Sequence, residues 1–244
     1  MEERASRPSS QRIGIIGGMS WESTAQYFRL LNIGARERLG GLHSARLLLA
    51  TVDFAPIVEM QRAGDWASAG EALAAEARAL EAGGADFVLI AANTMHRVFD
   101  QVADAVSIPV LHLADILADA VRATGLSQVG LLATKYTMEL DFYRDRLAAH
   151  GVRTLIPDST DRAVLQQIIF DELCQGLVLD ASRERLLEMA RSLLAGGAEG
   201  IVLGCTELEL SIRAEHLAAP LFPTTALHCE AALDRAFGQV SEAP

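Results

Sequence analysis

The chain has 244 residues, enough for one large domain or two small ones; half are hydrophobic and few are aromatic, so the core must be mainly aliphatic. A formal net charge of -11 repels phosphate backbones and argues against nucleic acid as a partner; it would also repel an acidic metabolite, which needs local donors to be held. No apolar run approaches the ~18 residues of a membrane helix, since Asp53 interrupts the longest candidate, so no membrane partner is expected.

Residues 1–11 are polar, carry Pro and Ser, and contain no apolar segment; they are read as a disordered tail without an export signal. Ile13-Gly14-Ile15-Ile16-Gly17 predicts a first strand, followed by a helix over 21–38 that Ser20 can cap. A strand over about 45–52, an Ala/Glu-rich helix over 66–82 and a strand over 86–91 come next. The strands show no polar alternation, as expected of strands buried on both faces. Their alternation with helices predicts parallel pairing through right-handed crossovers, an α/β fold. A further helix is expected over 138–150.

The second half echoes the first. Gly84-Ala85-Asp86, the strand Phe87-Val88-Leu89-Ile90 and then Ala91-Ala92-Asn93-Thr94 match Gly197-Ala198-Glu199, Gly200-Ile201-Val202-Leu203 and Gly204-Cys205-Thr206-Glu207, with an offset of 205 − 92 = 113. Val129-Gly130-Leu131-Leu132 echoes the opening strand, and Ala219-Pro220-Leu221-Phe222 echoes Ile108-Pro109-Val110-Leu111. Preserved order at near-constant spacing implies duplication. The expected division is one lobe over 12–112 plus 226–244 and a second over 113–225. Ligands of open parallel sheets sit beyond the carboxyl ends of strands. If the lobes face each other, Ala92 and Cys205 approach one ligand from opposite sides of the cleft between them.

The three cysteines are Cys174, Cys205 and Cys229. An odd number with no export signal implies reduced thiols and a cytoplasmic protein, and no spacing suggests a metal site. Cys205 ends an apolar strand just before a helix start, where backbone N–H groups can lower a thiol pKa and where Gly204 lets the backbone approach a ligand. Asn93 and Thr94 can hold a carboxylate at the other strand end, or cap the helix that follows. The turn Gly17-Gly18-Met19-Ser20 lacks the spacing of a nucleotide-binding loop and is read as carboxylate-binding. Thr134-Lys135-Tyr136-Thr137 occupies the equivalent place in the second half and can hold an anion or cap a helix. Single residues such as His96, His228, Cys174 and Cys229 are read as packing or structural groups.

Taken together, GGMSWEST, ANTMH, TKYTME and GCTE resemble the aspartate/glutamate racemase family over nearly the whole chain, most closely the branch specific for L-aspartate and L-glutamate. The resemblance implies two pseudo-symmetric α/β lobes, an active site between them, a homodimer, and proton removal and return at the α-carbon of an amino dicarboxylate. It implies no pyridoxal phosphate or other cofactor. It makes Cys205 one of two opposed acid/base groups and places Asn93, Thr94 and Thr206 on the substrate α-carboxylate. Met19, Gln61, Thr134 and Thr137 fall where the family lines its pocket. The departure is Ala92: the family has Cys there, or Thr in the L-aspartate/L-glutamate branch, and a methyl group moves no proton. Three explanations stand: an engineered trap for substrate, an enzyme that uses one thiol with water or His96, or a chain that has lost racemisation. A single-cysteine decarboxylase of the same superfamily and an inactive amino-dicarboxylate binder are the rival readings.

Overall fold

The computed structural model describes residues 10–238. Most of the expected tail lies outside the described residues, but its last two positions are tied down: the Gln11 amide donates to the Ala236 carbonyl, and the Ser10 carbonyl accepts from Arg46.

In chain order, β1 (Ile13–Gly17), α1 (Trp21–Leu39), β2 (Leu47–Thr51), α2 (Phe54–Ala63), α3 (Trp66–Ala82), β3 (Phe87–Ile90), α4 (Phe99–Ala103), β4 (Val110–Leu111) and α5 (Leu113–Ala123) make the first half. The second half runs β5 (Gln128–Ala133), α6 (Lys135–Glu139), α7 (Asp141–Ala149), β6 (Arg153–Leu155), α8 (Ser159–Gln167), α9 (Asp180–Ala195), β7 (Gly200–Gly204), α10 (Leu208–Ser211), β8 (Leu221–Pro223) and α11 (Thr224–Phe237).

The strands form two wholly parallel four-stranded sheets, ordered β2-β1-β3-β4 and β6-β5-β7-β8. The two orders match position for position, so β3 and β7 are equivalent central strands. Every residue of β1, β3 and β7 is buried, as expected of strands covered by helices on both faces. The aliphatic core follows from the same composition. Residues of α3 pack on one face of the first sheet; Tyr27 and Leu31 of α1 and Cys229, Ala232 and Leu233 of α11 pack on the other. The second sheet is covered by α5, α7 and α9 through Leu117, Val121, Leu147, Leu186 and Ala190.

Three local features depart from the periodicity. Helix α2 was not legible as an apolar stripe, but its ends are written in the chain: Asp53 accepts from the Ala55 amide, and Gly64 closes the helix at φ 72°. The helix expected over 138–150 is two helices, α6 and α7, parted at Leu140, which turns to an extended conformation at ψ 144°. In one straight helix Thr137 and Tyr143 would point about 120° apart. The break turns both toward the Asn93–Thr94 turn, to which they are hydrogen bonded. Ser20 stands at the start of α1, but its hydroxyl caps nothing. Thr24 Oγ1 instead accepts from the Gly18 amide at 2.8 Å and donates to the Ser20 carbonyl at 3.1 Å.

Gly18 carries the tightest constraint on this turn. Its φ is 91°, and a Cβ there would lie 2.2 Å from the Val52 carbonyl oxygen. Gly18→Ala is therefore expected to cost about 3 kcal/mol or more, through positive φ and backbone overlap together. Urea denaturation measures it; an unchanged midpoint and slope would show that the turn relaxes freely.

Candidate active site

Between the carboxyl ends of the two sheets lies a small cavity of about 40 Å³. Its wall contains Met19 from the turn after β1, Gln61 from α2, Ala92, Asn93 and Thr94 after β3, Thr134 after β5, and Cys205 and Thr206 after β7. Eight of the nine residues singled out in the sequence thus meet around one space. The ninth, Thr137, is fully buried just behind it and bonds to Thr94 and Thr134. Ala92 and Cys205 come from equivalent strand ends and are 9% and 7% exposed.

The polar groups are not equally available. Asn93 spends both ends of its amide inside the protein: Nδ2 donates to Thr224 Oγ1 at 2.9 Å, and Oδ1 accepts from the Tyr143 hydroxyl at 2.8 Å. Its side chain braces the turn rather than waiting for a ligand. Thr94, Thr134 and Thr137 form a triangle of hydroxyls at 2.8, 3.1 and 3.3 Å that joins the two halves of the chain. Hydroxyl protons rotate at little cost, so this triangle can turn its donors to an anion. The Gln61 amide donates to the Met95 sulfur, a weak acceptor that a carboxylate would readily displace. No Lys, Arg or His lines the cavity.

Gly204 and Cys174 take roles other than the expected ones, while His96 is structural as read. Gly204 lines the cavity, but the space its Cβ would fill is taken by Leu131 at 2.7 Å and Ala133 at 3.0 Å. Its smallness serves the packing of β7 against β5. His96 is fixed by backbone on both sides: Nε2 accepts from the Leu113 amide at 3.1 Å, which leaves Nδ1 to donate to the Ala92 carbonyl at 2.9 Å. Burial lowers its pKa to about 4, so it stays neutral and stands outside the cavity wall. At rest its two ring nitrogens are therefore turned to the Ala92 carbonyl and the Leu113 amide. Cys174, read as packing, lies on the cavity wall, with its sulfur 3.7 Å from Glu207 Oε1.

The Cys205 thiol is not lowered in pKa but pushed well up, first by burial and then by the Glu207 carboxylate and by Cys174. Helix α10 has four residues and little dipole to set against this. Glu207 is the group the sequence motifs understated. It is 4% exposed, and its Oε2 accepts from Cys205 Sγ at 3.0 Å and from Thr206 Oγ1 at 2.7 Å. A Glu two residues beyond a strand-end Cys was the available signal, but a surface reading is the default for Glu.

Phe54 and Phe170 close the cavity on one side, their rings stacked at 6.3 Å with planes 20° apart. Both also line an open groove of about 940 Å³, with Trp21, Phe28, Val52 and Arg62. Phe170 sits on a π-turn, Ile168–Glu172, at the end of α8. Such turns are common where a side chain is re-aimed at a site. The cavity has room for only a few waters.

The comparison with known proteins decides the class. A sequence model of the family described as Asp/Glu/hydantoin racemase matches residues 16–232. The chain belongs to this family. The family's reaction is racemisation, and the chain is thereby an isomerase of the amino-acid racemase kind. Among solved structures, an Asp/Glu racemase candidate of Yersinia pestis shares 43% identity, with 93% of this chain and 99% of that one covered at a TM-score of 0.86. An aspartate racemase homologue of Pyrococcus horikoshii OT3 shares 32% identity over 93% and 99% of the two chains at a TM-score of 0.81. The aspartate racemase of Picrophilus torridus shares the fold, at 21% identity over 93% and 94% of the chains and a TM-score of 0.75. Within this racemase-family chain, the equivalent strand ends thus present a thiol on one side and a methyl group on the other. Among the described residues no helix is long and apolar enough to cross a membrane.

Proposed function

We propose that the protein works at the α-carbon of aspartate or glutamate, without a cofactor, using Cys205 as its one side-chain acid/base. The observation that carries this reading is the cavity wall, where Cys205 and Ala92 stand at equivalent strand ends around one small cavity. The substrate carboxylate would rest on the Thr94 and Thr134 hydroxyls, which Thr137 backs, and on the Gln61 amide. Those donors would accept the charge that flows out of the α-carbon as the proton leaves. With a methyl group on the Ala92 side, only the Cys205 face carries a fast proton path.

Two consequences separate this enzyme from a two-thiol racemase. One enantiomer should exchange its α-hydrogen with solvent much faster than the other, and exchange should outrun net racemisation. Proton NMR of the L- and D-forms of aspartate and glutamate in deuterated water measures both. Silence from all four would remove amino dicarboxylates from consideration.

A second reading has its own support. The cavity wall carries Phe54 and Met95 in one core with Ala92, and Ile169 and Phe170 in the core that holds Cys205; among the described residues it offers no cationic side chain to a second carboxylate. Loss of CO₂ from a substituted malonate needs a proton delivered to one face only, which Cys205 can supply. Release of CO₂ from such a malonate, with no exchange of amino-acid α-hydrogens, would favour this decarboxylase reading.

A further inference from the structure

Cys205 cannot simply be a thiolate waiting for substrate. Its sulfur lies 3.0 Å from Glu207 Oε2, and both groups are buried. The titratable group in contact with the pair is Cys174, from the turn Leu173–Gln175, whose sulfur lies 3.7 Å from Glu207 Oε1; Glu209 of α10 is the neighbouring carboxylate that opposes Glu207. Each adds negative charge if it ionises, and neither can neutralise the pair. Glu209 is held by the Thr225 amide at 2.7 Å and by Gln26 Nε2 at 3.1 Å, so it does not swing in as a partner. Burial, and then the Glu207 carboxylate in contact with it, push the Cys205 thiol up, so the sulfur holds its proton at rest.

We propose that Cys205 and Glu207 share a single proton and act as one acid–base unit, in which Glu207 takes the thiol's own proton as the sulfur takes the substrate's. The inference rests on the reading of Cys205 given under the proposed function and deepens it. The step balances as follows. The Cα–H bond breaks and its proton bonds to Sγ. The old Sγ–H bond breaks and its proton bonds to Oε2 of Glu207. The electron pair left at Cα is delocalised into the substrate carboxylate. Return of the proton reverses every transfer, and no buried thiolate faces a buried carboxylate at any stage.

Thr206 fits this arrangement. Its hydroxyl donates to the same Oε2 at 2.7 Å and so fixes the oxygen in line with the sulfur. Thr206 is then a positioning residue for Glu207, and its O–H is not available to the substrate carboxylate. Glu207 is likewise a positioning and proton-holding residue, since it acts through Cys205.

The test compares wild type, Glu207→Gln and Glu207→Asp. The first readout is the pH dependence of Cys205 alkylation by iodoacetamide, followed on the Cys205 peptide by mass spectrometry, which keeps Cys174 and Cys229 apart. The second is α-hydrogen exchange of glutamate in deuterated water. In E207Q the alkylation half-point should fall by about one pH unit or more, because the carboxylate that opposes the thiolate is gone. In the same variant the exchange turnover rate should fall ~100-fold, with KM changed by less than ~3-fold. E207D keeps the charge, so its half-point should stay near that of wild type, and it should regain at least ~10-fold of the lost exchange.

A half-point unmoved in E207Q, or exchange unaffected there, overturns the proposal. If E207Q does not fold, wild type decides: a Cys205 half-point at or below the ~8.5 of a free thiol overturns it, and a higher one supports it. If wild type exchanges none of the four amino-acid forms, the proposed substrate fails. The alkylation comparison, which needs no substrate, still decides whether the pair shares its proton.

Discussion

Ala92→Cys is expected to raise net racemisation of glutamate or aspartate at least ~100-fold, the gain usual for a positioned general acid or base. Ala92 follows β3 as Cys205 follows β7, and the two sheets have the same strand order. A new sulfur at position 92 therefore stands where the pseudo-symmetry demands a second proton path, facing the opposite side of the α-carbon. The cavity has room for a few waters, and one additional heavy atom is small against it. Ala92→Thr tests the same position with a weaker acid and should give a smaller gain. Net racemisation, read by chiral chromatography, should rise to match the exchange rate, and the enantiomer that exchanges slowly in wild type should become fast. A folded A92C protein that exchanges at the wild-type rate and still does not racemise would show that the 92 side is not opposed to Cys205 across the substrate.

Cys205→Ser is expected to lower α-hydrogen exchange by ~1,000-fold or more, since an alcohol is a far weaker acid than a thiol and cannot cycle its proton at neutral pH. The fold should tolerate the change. A serine hydroxyl can keep the hydrogen bond to Glu207, so the stability change should stay within ~1 kcal/mol. The other two thiols make the comparison sharp. Cys229 is buried between α11 and α1 in the core of the first lobe, away from the cavity, and Cys229→Ser should cost stability while leaving turnover intact. Cys174 lines the cavity and also faces Glu207. If C174S loses exchange and C205S keeps it, the acid/base role moves to Cys174, and with it the opposition to Ala92.

The two variants bear on different halves of one question. Cys205→Ser asks whether a thiol at β7 moves the proton. Ala92→Cys asks whether the absence of a partner at β3 is what separates exchange from racemisation. The triangle of Thr94, Thr134 and Thr137 is common to both, because it joins the strand ends that carry the two positions.

Much of the molecule was legible from local pattern. Runs such as Phe87-Val88-Leu89-Ile90 and Gly200-Ile201-Val202-Leu203 carry no polar residue, because a strand covered by helices on both faces has no wet side. The repeat of Ala92-Asn93-Thr94 in Cys205-Thr206-Glu207 foretold two equivalent strand ends. Of the nine residues that this repeat and the family resemblance singled out, eight line one cavity. The roles of individual side chains were a different matter. Asn93 was expected to face a ligand, yet its amide is taken by Tyr143 and by Thr224, 131 positions away. His96 carried no mark of its two backbone partners, and Cys174 was read as packing. Nor could the break at Leu140 or the π-turn at Phe170 be seen in periodicity, since each is set by what its side chains must reach.

The sequence by itself determined the α/β class and the duplication that sets Ala92 and Cys205 at equivalent strand ends, because strand burial and repeat spacing are properties of neighbouring residues. Only the tertiary structure decided which polar groups are spent and which are free, and in which direction the Cys205 thiol is shifted. Strand-end amides alone would favour a thiolate. Burial against Glu207 reverses that preference, because desolvation and like charge depend on side chains brought together in space rather than on their order in the chain.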